Sequence, residues 1–187
     1  MKIILASTSP RRKELLEREG VDFIIDASSI TEYLYSSLNI EERLKKLAYD
    51  KGVSIHEKYP DDVVISADTT IYYNDKIIGK AYSTHEAREI LESLSNDTHS
   101  VYTSVAVFYK NQVCTFVDET KVKFKNIIDM IDDYISIYEW KGKAGAYAIQ
   151  GEAGKFIEEV HGDIDNVIGL PVKHVIEVIE TLTKEPL

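Results

Sequence analysis

The sequence holds a single cysteine, Cys114. One thiol allows neither an intrachain disulfide nor a cysteine-based zinc site, and a reducing compartment fits that usage. Basic residues are outnumbered: 22 Lys and Arg stand against 32 Asp and Glu, a formal charge of −10. This excludes a broad basic surface of the kind that grips nucleic acid. It leaves room for a small local anion site, particularly one completed by a metal ion. Long hydrophobic runs are also missing. The N-terminal "IILA" is too short for a signal-peptide core or a membrane span, so the expected location is the cytoplasm, with no membrane partner. There is no internal repeat and no low-complexity segment, and His56, His85, His99, His161 and His174 are scattered without metal-ligand spacing. What remains is 187 residues, 44% of them apolar, enough for one globular domain or one domain with two lobes.

Apolar spacing and local punctuation divide the chain into strands and helices. "KIILA" reads as a buried strand. Ser9 suits an N-cap and Pro10 the first helical position, with the helix running to about Gly20. "VDFIID" reads as a second strand, and residues 27 to 38 as a loop with little pattern. Asn39 with Glu42 resembles a capping box, followed at helical spacing by Leu44, Leu47, Ala48 and Lys51. "DVVISADTTIYY" is a long strand and "YNDK" a hairpin turn. Ser83 and Glu86 form a second box ahead of Ala87, Ile90, Leu91 and Leu94. Residues 100 to 125 hold two strands turning at "KNQ". Ile127, Ile128, Ile131, Tyr134, Ile135 and Tyr138 mark a helix. "GKAGAYAIQGEAG" is a glycine-rich connection, "KFIEEVHG" a strand, and Val172, Val175, Ile176 and Ile179 a last helix after Pro171. Hairpins mixed with strand–helix units predict an α/β protein with a mixed sheet and no regular βαβ alternation.

The chemistry starts at "ASTSPRRKELL". A helix N-terminus presents free N–H groups and about half a positive charge, so Arg11 and Arg12 in the first turn are mildly repelled, by about 0.3–1 kcal/mol each if exposed. An anion between them reverses the sign. Backbone N–H groups, the Ser7 and Ser9 hydroxyls and two guanidinium forks can together hold phosphate oxygens. Two solvated arginines behind a serine cap are the plainer alternative. The segment is not a Walker P-loop, which needs glycines and a Gly-Lys-Ser/Thr ending.

Asp68 interrupts a strand of Val, Ile, Ala, Thr and Tyr. It is either an exposed bulge or edge residue, or a metal ligand or a base that activates water. Lys51 continues the apolar stripe of its helix, as a snorkelling end-of-face lysine or as an amine pointed into a cleft. Lys80, after Gly79, is a solvated turn residue or a phosphate contact. Gln150, in "YAIQGEAG", sits on a flexible connection or reads a base edge with its carboxamide. Asn166 caps the last helix or braces a loop, and His161 is a surface turn residue.

Together, "LASTSPRRKELL", "LAYDKG", "SADTTIYYNDKIIGKA", "GKAGAYAIQG" and "DNVIGLP" resemble the Maf family of nucleoside triphosphate pyrophosphatases. They fall in the family's order and cover nearly the whole chain. The opening strand and loop also resemble the start of the inosine-triphosphate pyrophosphatase fold, to which the Maf fold is similar. The resemblance implies a single domain over residues 1–187, a mixed twisted sheet flanked by helices, and a cleft between two lobes. It implies hydrolysis of a nucleoside triphosphate to the monophosphate and pyrophosphate with a divalent cation, Mg²⁺ or Mn²⁺, in a homodimer.

Residue by residue, Asp68 matches the family's proton acceptor, and Ser7, Ser9 and Arg12 its phosphate-facing loop. Glu32 matches an acidic metal or water partner, and with Asp68 it forms the implied metal set. Lys51 and Lys80 match the two active-site lysines. Arg11, Thr69 and Gln150 resemble the branch acting on dTTP and UTP; the branch acting on 7-methyl-GTP has tryptophan, glutamine and glutamate there. The chain departs from the pattern at Gly52, where alanine is usual after the lysine, at Ala81, where proline is frequent, and at Asp163, where serine is frequent. Two other functions remain open at this level. One is a nucleotide-sensing regulatory module tied to cell division, and the other is a 7-methyl-GTP-type pyrophosphatase.

Overall fold

Residues 1–27 and 38–184 are described by the computed structural model; Glu32 and most of the expected 27–38 loop lie outside them. Strand β1 (Ile3–Leu5) is buried throughout. It feeds α1 (Pro10–Arg18), which has Ser9 at the N-cap and Pro10 at its start, although the Ser9 hydroxyl makes no capping bond. β2 (Ile24–Ile25) is shorter than "VDFIID" predicts. Its partner β1 offers only three residues, and pairing stops at Leu5 opposite Ile25.

α2 (Ile40–His56) opens on the expected cap, with Asn39 Oδ1 accepting the Glu42 N–H at 2.9 Å. β3 (Val63–Tyr73) and β4 (Lys76–Ile78) form the expected hairpin. Asn74 and Asp75 take φ of 49° and 59°, the pair of left-handed residues a tight two-residue turn needs. α3 (Thr84–Leu94) starts at Ser83, whose Oγ accepts the Glu86 N–H at 3.1 Å. The Glu86 carboxylate reaches back to the Tyr82 N–H at 2.7 Å, one residue beyond the usual box.

β5 (Thr98–Tyr109) and β6 (Gln112–Phe124) follow. The helix expected over Ile127–Tyr138 is instead a 3-10 turn, Ile128–Met130, and a short α4 (Ile131–Ser136). Ile127, Ile131, Tyr134 and Ile135 do face the core, but Ile128 and Tyr138 are exposed, and Tyr138 turns left-handed at φ 58°. β7 (Ile157–His161) is the expected strand; α5 (Ile164–Ile168) is a short helix with no counterpart in the sequence reading. α6 (Val172–Thr183) begins directly after Pro171.

The seven strands make one sheet in the order β2-β1-β3-β5-β6-β7, with β4 paired to β3. β1 runs parallel to β2 and β3, while β4 on β3 and β7 on β6 are antiparallel, so the sheet is mixed as expected. The chain forms two compact units: Met1–Asp68, Thr103–Asp118 and Gly169–Leu187, and Thr69–Tyr102 with Glu119–Ile168. In the first, Ala48 and Ile55 of α2 pack on Ile4, Val64, Ala106 and Phe108 of the strands. In the second, Leu91 and Leu94 of α3 and Ile131 of α4 close over Ile71, Val101, Val122 and Phe124. Each valine, leucine, isoleucine or phenylalanine among them, fully withdrawn from water, contributes about 1.5–3 kcal/mol.

Candidate active site

The first unit holds six of the described residues singled out by sequence, Ser7, Ser9, Arg11, Arg12, Lys51 and Asp68. β1 is extended past Leu5 by the Ala6 N–H, which donates to the Ile65 carbonyl at 2.8 Å. The chain then turns through Ser7, which is buried. Ser7 Oγ accepts the Ser9 N–H at 3.2 Å and Arg12 Nη1–H at 3.0 Å. Arg12 Nε–H donates to the Gly169 carbonyl at 2.8 Å. The guanidinium is therefore oriented from two sides before any ligand arrives. Burial pulls its pKa down, the charge of Asp68 opposes that, and Arg11 adds to the fall. A guanidinium does not shed its proton in proteins, so Arg12 stays charged there.

Lys51 and Asp68 form a direct ion pair, with side chains only 20% and 17% exposed. The Lys51 amine is thus paired with Asp68 and mostly withdrawn from solvent. The backbone beneath explains how. Ser66 Oγ–H donates to the Ala48 carbonyl at 2.6 Å, tying α2 to β3. At Gly52 the helix comes so close that an added Cβ would overlap the Phe108 ring and lie 2.5 Å from Ser66 Oγ. The missing side chain beside Lys51 lets the helix sit low enough for the amine to meet Asp68. Ser104 Oγ–H reaches the Asp68 carbonyl at 3.4 Å.

Thr69, Lys80 and Gln150 belong to the second unit. Thr69 follows Asp68 in β3, and strand alternation turns its side chain to the opposite face. Lys80 is exposed, and its backbone bridges to Ala144 while the Gly145 N–H donates to the Gly79 carbonyl at 3.0 Å. This stitches "GKA" after the hairpin to the glycine-rich connection. Gln150 is exposed on the turn that follows. Arg11 is half-buried beside Arg12 on α1, and Glu32 lies outside the described residues.

Sequence reasoning missed two functional parts. Gly169 occupies φ 136°, a region open to glycine and little else, and that turn aims its carbonyl at Arg12. The signal was a glycine in "IGLP" just ahead of a helix. Gly52 was noted only as a departure from the family pattern. Asn166 neither caps the last helix nor braces a loop: it lies within α5, and its Nδ2 ties that helix to the sheet by donating to the Val101 carbonyl of β5 and to Thr120 Oγ1 of β6, both at 3.0 Å. Thr120 Oγ1 donates in turn to the Asp163 carbonyl at 2.9 Å, so the aspartate at the third departure is held by its backbone. Among the described residues no cluster of three or more His, Cys, Asp or Glu is placed to hold a metal ion.

A helix start, an anchored guanidinium and a lysine–carboxylate pair are gathered in one α/β unit. The chain belongs to the Maf-like protein family, whose profile matches residues 2–182. It is 43% identical over 179 residues to a dTTP/UTP pyrophosphatase of Pyrococcus abyssi, covering 95% of each chain. It is 41% identical over 182 residues to a dTTP/UTP pyrophosphatase of Geobacillus sp. (strain WCH70), covering 97% of this chain and 98% of that one. A dTTP/UTP pyrophosphatase of Pyrococcus furiosus is 41% identical over 180 residues, with 96% and 94% covered.

Proposed function

We propose that this chain is a nucleoside triphosphate pyrophosphatase that hydrolyses dTTP and UTP to the nucleoside monophosphate and pyrophosphate. The observation that carries the reading is the Lys51–Asp68 pair beside an Arg12 anchored to Ser7 and Gly169, in a chain aligned end to end with relatives of that name. Water attacks the α-phosphorus, a new P–O bond forms, and the α–β bridging bond breaks. Asp68 orients that water and takes its proton. Arg12, Lys51 and Lys80 hold the phosphate chain and offset the charge that builds on the leaving pyrophosphate. Ser7, Ser9 and the N–H groups of the first turn of α1 receive phosphate oxygens. Arg11, Thr69 and Gln150 sort the base.

A divalent cation, Mg²⁺ or Mn²⁺, belongs to the same reading. Magnesium is commonly held by one or two carboxylates together with substrate phosphates, and Asp68 with Glu32 supplies such a donor set. The ion would neutralise phosphate charge there. A cytoplasmic homodimer completes the proposal.

The test is pyrophosphate release from a panel of nucleoside triphosphates with Mg²⁺ or Mn²⁺ present. Asp68→Asn should lower kcat by about 10²–10⁴-fold, the usual worth of a positioned acid–base group. Near-normal turnover in that variant, or binding of dTTP without any turnover in the wild type, would sink the reading and favour a nucleotide sensor.

A further inference from the structure

The turn that presents Gln150 is gripped by a side chain to which no role has been given. Glu139 is half-buried just beyond α4. Its Oε2 accepts the Glu152 N–H at 3.0 Å. Gly151 approaches the same carboxylate so closely that an added Cβ would stand 2.6 Å from Oε2. The turn is itself tight: the Gly151 N–H donates to the Ala148 carbonyl at 3.1 Å, and the Gly154 N–H to the Gly151 carbonyl at 2.9 Å. Gln150 projects from it, exposed.

The stretch carrying Glu139 is fixed in its turn. Trp140 Nε1–H donates to the Ile135 carbonyl at 3.2 Å, and Lys143 Nζ bonds the Glu139 carbonyl. Glu139 Oε1 is buried against the Tyr134 phenol, which burial first and the Glu139 carboxylate second hold in its protonated form. A charged group kept partly out of water is poorly explained by filling space. A carboxylate taking a backbone N–H makes a stronger, better-directed bond than a neutral acceptor does.

We propose that Glu139 is a positioning residue for base selection, its carboxylate clamping the 148–152 turn and so fixing where the Gln150 carboxamide stands. This rests on Gln150 meeting the base, as proposed above. Base discrimination by a hydrogen-bonding side chain is sensitive to displacement, because a misplaced carboxamide leaves its partner unpaired.

The experiment measures kcat and KM for dTTP, UTP, CTP and GTP, with inhibition by inorganic pyrophosphate, in the wild type, Glu139→Ala, Glu139→Gln, Gly151→Ala, Gln150→Ala and the Glu139→Ala/Gln150→Ala double variant. Glu139→Ala is expected to lower the kcat/KM preference for dTTP over GTP about tenfold, the loss of one good contact. Gly151→Ala, which evicts the carboxylate without removing it, should do the same. Pyrophosphate inhibition should not move, Glu139→Gln should keep most of the preference, and the double variant should discriminate no worse than Gln150→Ala. Selectivity intact in Glu139→Ala but lost in Gln150→Ala overturns the proposal, as do effects that multiply in the double variant. If Glu139→Ala does not fold, undiminished selectivity in Gly151→Ala overturns it. A wild type without base preference, or a Gln150→Ala indistinguishable from it, fails the underlying reading and the clamp with it.

Discussion

Asp68 and Lys51 neutralise each other inside a site proposed to bind a polyanion, and each is stable there because of the other. Lys51→Met takes the paired ammonium away from a partly buried carboxylate, a loss on the order of 1–3 kcal/mol. Adding Asp68→Asn should return much of that loss, so urea unfolding of the two single variants and the double should give a strongly non-additive cycle; additive losses would contradict the coupling. His99 is a different kind of buried residue. Its Nε2 meets the Tyr147 hydroxyl at 2.8 Å and its ring packs edge-on against Phe124. Burial pushes its pKa from 6.5 down to about 4, with the Asp97 charge opposing. The unfolded chain therefore binds a proton that the folded chain refuses between those values. Stability is full above pH 6.5 and falls as pH drops toward 4. The loss reaches about 3 kcal/mol at most, at 1.36 kcal/mol per pKa unit. Denaturant titrations at pH 7 and pH 4.5 should show this, and His99→Gln should flatten the slope.

At the scale of elements, α2 shows how a small residue sets a distance. Gly to Ala inside a helix ordinarily gains about 0.5–1 kcal/mol. At Gly52 the new methyl meets Phe108 and Ser66, and overpacking costs about 1–3 kcal/mol, so the clash wins. Gly52→Ala should lower the unfolding midpoint and, by lifting α2 off β3, slow turnover through Lys51; an unchanged midpoint would show that the packing relaxes freely. Elements whose punctuation is local were legible in the sequence. Asn39 and Ser83 announce their helices because a cap is a contact between near neighbours, and "YNDK" announces its hairpin because two left-handed residues are needed there. The helix drawn through Tyr138 was not legible, because apolar spacing persists through a 3-10 turn and beyond the end of α4 to Tyr138, itself left-handed. The site was legible as a set of residues but not as a set of bonds. Arg12 and Gly169 are 157 positions apart, and no periodicity predicts which carbonyl a guanidinium will find. The family resemblance placed Lys51 and Asp68 together by role; only the low seat of α2 shows why the amine faces inward.

At the scale of the whole molecule, a chain of net charge −10 is proposed to attract a substrate that is itself multiply negative. No described helix is long and apolar enough to cross a membrane. Beyond a Debye length, about 8 Å at physiological salt, the protein repels its ligand, and capture depends on what the ligand meets at short range. Four cationic side chains, Arg11, Arg12, Lys51 and Lys80, would suggest steep competition with salt if each held a mobile counter-ion to be expelled, as basic nucleic-acid surfaces do. Lys51 is different: its counter-ion is covalently part of the protein, in Asp68, and never leaves for bulk solution. At Lys51 binding then exchanges one internal partner for another instead of releasing an ion. A plot of log KM against log salt should therefore have a slope of no more than about three, and a slope near four would contradict this. The Lys51 ammonium, in effect, comes already dosed with its own salt.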